Sequence, residues 1–252
     1  MSRTVIIVQA RMTSTRLPGK VLLDLAGHTV LRRVLERCAC IPGVDDVCCA
    51  VPEGVTHDPI AAEAKRAGVS VFRGSEADVL ARYAGAARQC GADLVMRVTS
   101  DCPLIDPVVC GQVLSLVKDG KADYACNNMP ASWPHGLDCE AFTAAALYRA
   151  EVEATSPRER EHVTPWLREH ADLVHANLIG PGGWAAEQRW TLDFPEDYAF
   201  LQAVFAALPD SSGMQYTDAV LNLLRARPDI AAINAQHHNV SRPSILVKQK
   251  IL

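Results

Sequence analysis

The amino-acid sequence predicts an α/β domain with a mostly parallel sheet, on the strength of two observations. Short runs of β-branched residues alternate with stretches of helical length and periodicity through the first half of the chain. Polar and charged residues follow several of these runs directly, where an open α/β sheet places its ligands. We expect one domain over residues 1–235 and a loosely held C-terminal tail over 236–252.

The predicted elements alternate regularly as far as residue 126. The first strand is Thr4–Val8, and a polar loop of about a dozen residues separates it from a helix near Val30–Cys40. The other strands of this half are Val44–Val51, Val69–Phe72, Leu94–Thr99 and Asp123–Cys126, and its other helices are Pro59–Ala67, Asp78–Cys90 and Pro107–Lys118.

The second half has a less regular pattern. The expected strands are Leu137–Phe142, Leu173–Leu178 and Arg189–Leu192. The expected helices are Thr143–Ala154, Arg158–His170 and Glu196–Ala206, followed by two short helices. We expect His237 and His238 to be solvated in the tail.

The composition favours a small-molecule site in a protein of the cytoplasm. Lys and Arg number 25 against 29 Asp and Glu, a balance that argues against a general nucleic-acid-binding protein. The nine cysteines include no Cys-x-x-Cys pair, so we expect most of them to be buried, reduced thiols. An odd cysteine count without a secretory signal indicates a reducing compartment, and no stretch is long and apolar enough to span a bilayer.

The loop after the first strand carries three cations, Arg11, Arg16 and Lys20. Guanidinium and ammonium groups in such a position suit the charges of a polyphosphate. The loop is not a Walker loop, because Gly-x-x-x-x-Gly-Lys-Ser/Thr is absent. From composition alone, a solvated basic surface loop is an equally good interpretation.

Aspartates end two later strands. Asp101 follows Leu94–Thr99, and Asp193 follows the predicted strand Arg189–Leu192. Magnesium takes few protein ligands, often one or two carboxylates, so Asp101 is a candidate metal ligand. The alternative is that Asp101 only caps the turn or the next helix.

The segment V-Q-A-R-M-T-S-T-R-L-P-G-K-V-L resembles the signature loop of the cytidylyltransferases that make CMP-activated acidic sugars. The branch it resembles is the spore coat polysaccharide biosynthesis type, related to CMP-Kdo and CMP-sialic acid synthetases. The resemblance implies a Rossmann-like, nucleotide-diphospho-sugar transferase fold with a mixed sheet. It also implies an arm or insertion at about 125–180, a homodimer, and the use of CTP and Mg²⁺.

Residue roles follow from this resemblance. Arg16 and Lys20 would hold the β- and γ-phosphates and Arg11 the α-phosphate. S-D-C-P-L-I-D-P and L-D-F-P-E-D look like the two metal-aspartate motifs, which pairs Asp101 with Asp193. The remaining nucleotide-binding candidates are Ala10 and Ser100 beside these motifs, and Arg73 and Ser75 in R-G-S-E-A-D-V-L-A-R-Y.

Two further segments resemble the acceptor side of the family. W-P-H-G-L-D-C-E supplies His135, Asp138 and Glu140, with Cys139 in place of the usual valine. R-E-H-V-T-P supplies His162. Either histidine would contact the acceptor or help to deprotonate it, although a lone histidine is more often structural.

Two other classes of protein stay open. A glycosyltransferase of related fold would present an Asp-x-Asp pair where this chain has Asp101-Cys102-Pro103. A non-catalytic nucleotide-binding protein would keep the binding residues without turnover. Within the cytidylyltransferases, the sequence leaves the acceptor open between an acidic sugar, a phosphonate and another small acid.

Overall fold

The computed structural model describes residues 2–208, 216–238 and 240. The strands are β1 (Thr4–Gln9), β2 (Asp24–Leu25), β3 (His28–Thr29), β4 (Asp46–Pro52), β5 (Ser70–Gly74), β6 (Leu94–Thr99), β7 (Tyr124–Cys126), β8 (Glu140–Thr143) and β9 (His175–Asn177). The helices are α1 (Val30–Ala39), α2 (Asp58–Arg66), α3 (Val79–Cys90), α4 (Pro107–Lys118), α5 (Ala144–Glu153), α6 (Pro157–His162), α7 (Pro165–Glu169), α8 (Gly183–Glu187), α9 (Pro195–Ala207), α10 (Thr217–Ala226) and α11 (Pro228–Ala232).

Seven strands form one sheet in the order β5-β4-β1-β6-β8-β7-β9, and β2 and β3 form a separate hairpin. β1 lies parallel to both β4 and β6, whereas β8 runs antiparallel to β6 and β7. The predicted α/β fold with a mixed, mostly parallel sheet is confirmed. Because β1 and β6 are parallel neighbours, the segments that follow them leave the sheet at the same edge.

Each face of the sheet is covered by its own group of helices. Ile6 and Val8 of β1 pack with α1, α2 and α4, while Val5 and Ile7 pack with α3, α5 and α7. This alternation is the two-residue period of a strand buried on both faces. A third apolar cluster around Trp190 joins α9, α10 and α11 to the β2–β3 hairpin.

Two predicted elements in the second half have the wrong boundaries. The strand predicted from Leu137 begins at Glu140, because the Asn127 side chain bonds Leu137 O and Cys139 N–H in place of a neighbouring strand. The single helix predicted at 158–170 is two helices, interrupted at Val163 with φ 69°. Pro165 follows this break and has no N–H with which to continue the first helix.

The predicted strand Arg189–Leu192 does not join the sheet. Its backbone makes one isolated bridge, between Arg189 and His135. Leu192 N–H instead donates to Asp101 O at 2.8 Å, and Trp190 N–H donates to His135 O at 2.6 Å. The segment is therefore extended chain that connects two loops at the edge of the sheet.

The segment at 125–180, predicted as an arm or insertion, supplies β8 and β9 to the main sheet. The predicted homodimer concerns a second chain and stays a prediction. All nine cysteines are free, and seven of them are buried, as expected. Among the described residues, no helix combines the length and apolar content needed to cross a bilayer.

The first residues of the predicted tail are packed rather than loose. The His237 ring stacks on the Phe194 ring with centroids 4.0 Å apart, so the expectation that His237 is solvated is wrong. Residues 239 and 241–252 of the predicted tail lie outside the described part of the chain.

A buried ionic cluster around Glu140 joins the antiparallel strand β8 to β6, β7 and α7. The Glu140 carboxylate is 1% exposed and accepts hydrogen bonds from Arg97 Nη1 at 2.7 Å and Arg168 Nε at 2.8 Å. Tyr124 Oη donates to the same carboxylate at 2.5 Å. Burial alone would raise the pKa of Glu140, but Arg168 and Arg97 lower it from 4.5 to about 2.

We expect Glu140→Gln to destabilise the fold by about 3–5 kcal/mol at pH 7, because it leaves the buried Arg168 guanidinium and the partly buried Arg97 guanidinium without a counter-charge. The depressed pKa means that the carboxylate's stabilisation is present above about pH 4.5 and is lost as the pH falls through about 2. The free energies of unfolding of the variant and the wild type, measured in urea at pH 7 and pH 3, should therefore differ less at pH 3 than at pH 7. Glu153→Gln, on the surface beside Arg149, is the control. A difference that does not vary with pH would contradict this assignment.

Candidate active site

A cavity of about 380 Å³ opens where β1 and β6 end. It is lined by residues of the loop after β1, the turn after β6, the loop before β8, the end of α6 and the 189–193 segment. The predicted site residues in its wall are Ala10, Arg11, Arg16, Lys20, Ser100, Asp101, His135, Asp138, His162 and Asp193. Segments that are far apart in the chain thus converge on one cavity.

The loop after β1 closes on itself before it reaches Lys20. Gly19 adopts φ 68°, in the left-handed region that glycine tolerates best, and its N–H donates to Met12 O at 3.3 Å. A short 3₁₀ turn then starts at Lys20 and leaves this residue only 8% exposed. The turn directs the Lys20 side chain toward the turn after β6, which carries Asp101, and toward the 189–193 segment, which ends in Asp193.

The Lys20 ammonium lies between the two predicted metal aspartates. Its Nζ is 2.8 Å from Asp101 Oδ2 and 2.9 Å from Asp193 Oδ1, and it donates to Leu192 O at 2.6 Å. Asp101 and Asp193, 92 positions apart in sequence (193 − 101), thus face one cation. The alternative role for Asp101 as a helix cap is not observed, because Asp106 caps α4.

Asp193 is held by further contacts on its other side. Arg16 Nη2 lies 2.8 Å from Asp193 Oδ1, and Arg189 Nη2 donates to Asp193 Oδ2 at 2.9 Å. The fully buried Asp197 accepts hydrogen bonds from the N–H groups of Asp193 and Phe194 at 2.9 and 3.0 Å. Asp197 also pairs with Arg189 at 2.9 Å, so it fixes the turn rather than facing the cavity.

The charges in this group stabilise one another. Burial alone would raise the pKa of Asp193, but Lys20 and Arg16 lower it well below its usual range. For Asp101 too, burial acts to raise the pKa and the Lys20 ammonium outweighs it, so the net shift is downward. Burial would lower the pKa of Lys20, and the two carboxylates raise it instead. All three groups are therefore ionised at neutral pH.

Two histidines, His135 and His162, line the cavity. Arg189 Nη1 donates to His135 Nδ1 at 3.2 Å, and His135 Nε2 lies 3.7 Å from Asp138 Oδ2. Because arginine only donates, the neutral form of His135 carries its proton on Nε2. His162 is exposed at the end of α6 and lines the cavity together with Glu161.

This geometry agrees with the comparison to known proteins. The model of the family described as Cytidylyltransferase matches residues 5–217. The chain belongs to the cytidylyltransferase family. The family is one of nucleotidyltransferases, which favours the predicted reaction class over the glycosyltransferase alternative.

Individual relatives of this cytidylyltransferase agree with that assignment. The chain is 30% identical over 238 residues to the spore coat polysaccharide biosynthesis protein SpsF of Bacillus subtilis, an alignment that covers 92% of this chain and 98% of that protein. A cytidylyltransferase structure from Leptospira borgpetersenii matches with a TM-score of 0.86 and 29% identity, covering 96% and 100% of the two chains. The structure of CMP:2-keto-3-deoxy-manno-octonic acid synthetase complexed with CTP shares the fold, with a TM-score of 0.60 and 18% identity over 82% and 99%.

Three predicted site residues of the cytidylyltransferase lie away from this cavity. Arg73 pairs with Asp58 at 2.5 Å and also donates to Gly54 O. The Ser75 hydroxyl accepts the Asp78 N–H at 3.0 Å, at the start of α3. Glu140 belongs to the buried cluster between β6, β8 and α7 and is not among the residues that line the cavity.

Several residues around the site were not predicted. Arg189, whose side chain is fully buried, lies four positions before Asp193 and contacts both Asp193 and His135. His57 is 2% exposed, and its Nδ1 accepts the Met12 N–H at 3.2 Å, which holds the first loop. The R-W-T-L-D spacing could have pointed to Arg189, whereas nothing in the local sequence distinguishes His57 from a surface histidine.

Replacing Lys20 by Met should raise the pKa values of both Asp101 and Asp193, because it removes a cation shared by two carboxylates that repel each other. Titration of the aspartate side chains by carbon-13 NMR would measure the shift. Lys65→Met, which changes an exposed lysine on α2, is the matched control. Unchanged titration in the Lys20 variant would assign the low pKa of Asp193 to Arg16 and Arg189 instead.

Proposed function

We propose that this cytidylyltransferase joins the CMP part of CTP to a small acidic acceptor and releases pyrophosphate, with Mg²⁺ held by Asp101 and Asp193. The observation that carries the proposal is the convergence of Lys20 and Arg16 with both aspartates at one cavity. Nucleotidyl transfer needs cations around the triphosphate and carboxylates for a divalent ion. This cavity supplies both.

The donor set fits magnesium. Both carboxylates are ionised and already face a common cation, the Lys20 ammonium, at 2.8 and 2.9 Å. Among the residues that the structure describes, no group of three or more His, Cys, Asp or Glu side chains is placed to hold a metal. Two carboxylates, completed by phosphate oxygens and water, match the small protein share that Mg²⁺ usually accepts. When bound, the ion would offset charge on the phosphates.

The chain's own residues would act by positioning and by neutralising charge. Arg16 and Lys20 would hold the β- and γ-phosphates, and Arg11 would lie nearer the α-phosphate. An acceptor oxygen would form a bond to the α-phosphorus, and the bond from the α-phosphorus to the oxygen that bridges the α- and β-phosphates would break, so that this oxygen leaves with pyrophosphate. A 3-deoxy-manno-octulosonate cytidylyltransferase of Anaeromyxobacter is 33% identical to this chain over 205 residues, and the sugar acid in its name supports an acidic acceptor here.

The two histidines suit different tasks. His135 receives an Arg189 N–H at Nδ1, so its neutral form presents a donor at Nε2 and suits binding of an acceptor oxygen. His162 lies at the exposed end of α6 and also lines the cavity. Of the two, His162 is the better candidate to take a proton from the acceptor.

A pyrophosphate-release screen tests the proposed function. Each of the four ribonucleoside triphosphates is combined with Mg²⁺ and a panel of sugar acids, amino sugars and phosphonates, and products are identified by mass spectrometry. We expect release with CTP and an acidic acceptor, together with a CMP-linked product. Binding of CTP without turnover across the panel would favour the non-catalytic alternative. Equal rates with all four nucleotides would remove the preference for cytosine.

We expect Asp101→Asn and Asp193→Asn each to lower kcat by about 100-fold or more, because each removes a charged ligand of the ion. The measurement is pyrophosphate release at saturating CTP, with circular dichroism to confirm the fold. Asp119→Asn, at an exposed aspartate beside Lys121, should keep wild-type activity. A near-normal rate in either site variant would remove that residue from the metal site.

A further inference from the structure

The chain after α11 turns back and packs behind the candidate active site. This C-terminal turn, defined here as residues 234–238 and 240, follows residue 217, where the family match ends. Its described residues make three separate contacts with the segment that carries Asp193. These contacts come from Asn234, His237 and the backbone carbonyl of Val240.

Asn234 contacts the group that fixes the Asp193 turn. It is 1% exposed, and its Nδ2 donates to Asp197 Oδ1 and to Arg189 O, both at 2.9 Å. The other Asp197 oxygen accepts the N–H of Asp193. Asn234 therefore holds the carboxylate on which the backbone of the candidate metal ligand depends.

His237 contacts the Phe194 ring, which in turn lies beside Arg16. The His237 and Phe194 rings are nearly parallel, with an interplanar angle of 8°. His237 Nε2 lies 3.2 Å from Glu196 Oε2, and this contact fixes the imidazole. The Arg16 guanidinium lies over the Phe194 ring at 5.0 Å while it pairs with Asp193. The Arg16 side chain is 43% exposed, and a fixed Phe194 ring stabilises its guanidinium through the cation–π contact.

Val240 supplies the third contact. Its carbonyl oxygen accepts a hydrogen bond from Arg189 Nη1 at 3.2 Å. The same guanidinium pairs with Asp193 and Asp197. The turn thus contacts Arg189 through the Val240 carbonyl oxygen, and Arg189 in turn contacts the Asp193 carboxylate.

We propose that the C-terminal turn is a positioning element of the active site, which orders the Asp193 carboxylate through Asn234 and Arg189, and the Arg16 guanidinium through His237 and Phe194. The consequence for turnover rests on the function proposed above. Among its described residues, none lines the cavity, so they act only through the residues that do. Small displacements of groups that position a substrate lower rates strongly, and this gives the turn its effect on catalysis.

The proposal is tested first without any ligand. In His237→Ala, nitrogen-15 relaxation of the Arg16 Nε–H should report a mobile guanidinium, whereas His237→Phe, which keeps a ring on Phe194, should restore the order. In Asn234→Ala, the amide hydrogens of Asp193 and Phe194 should exchange about tenfold faster, because their acceptor Asp197 is released. The matched control is His28→Ala, which removes a surface His–Glu contact of 3.1 Å to Glu36.

Turnover is the second readout, in the full chain. We expect His237→Ala to raise the KM for CTP about three- to tenfold with an unchanged melting temperature, and His237→Phe to restore it. The proposal would be overturned if the variants left both the mobility of the Arg16 guanidinium and the amide exchange of Asp193 and Phe194 unaltered. It would also be overturned if the variants of an active enzyme changed this mobility or exchange but left kcat and KM unaltered. If the wild-type chain releases no pyrophosphate with any acceptor, the proposed function fails, and the ligand-free measurements still decide whether the turn orders the site.

Discussion

The Lys20 ammonium between Asp101 and Asp193 is the interaction on which the site depends. It joins three segments: the loop after β1, the turn after β6 and the extended chain before α9. Two carboxylates this close repel each other, and the desolvation of each would be costly without a cation between them. The parallel pairing of β1 with β6 brings two of these segments to one edge. The third arrives through backbone bonds such as Leu192 N–H to Asp101 O, and the lysine completes the arrangement.

The carboxylates of this site differ from the Glu140 carboxylate of the buried cluster in how fully protein groups surround them. Glu140 is 1% exposed, and its two oxygens are taken up by Arg97, Arg168 and Tyr124. The side chains of Asp101 and Asp193 keep 25% and 12% exposure beside the cavity, although both share a cation. A carboxylate whose partners all belong to the fold stabilises the fold, whereas one that faces a cavity is placed to bind a ligand. This is why the same ion-pair chemistry is structural at Glu140 and is proposed as functional at Asp101.

The elements of the first half could be predicted from sequence because they depend on local patterns, whereas most of the predicted residues in the cavity wall came from the resemblance of their motifs to the cytidylyltransferases. Apolar runs define β1 and β6, and because the loop that ends in Lys20 and the turn that carries Asp101 follow these two parallel strands, both residues were expected at the edge of the sheet where the structure has them. The second half depends on contacts between distant residues. The Asn127 side chain delays the start of β8, and the 189–192 segment pairs with loops instead of strands. Neither of these long-range contacts produces a periodic pattern in the local sequence.

Arg189 connects the two halves of the cavity. Its guanidinium is rigid and planar, and it donates to Asp193 and Asp197 on one side and to His135 Nδ1 on the other. The candidate metal ligand and the candidate acceptor histidine therefore take their positions from one buried side chain. A lysine could not replace it, because a single ammonium lacks the separated donors that reach all three partners. The separation between the Asp193 carboxylate and the His135 ring thus depends on one guanidinium group, which is held in place by Asp197 and by the carbonyl oxygen of Val240.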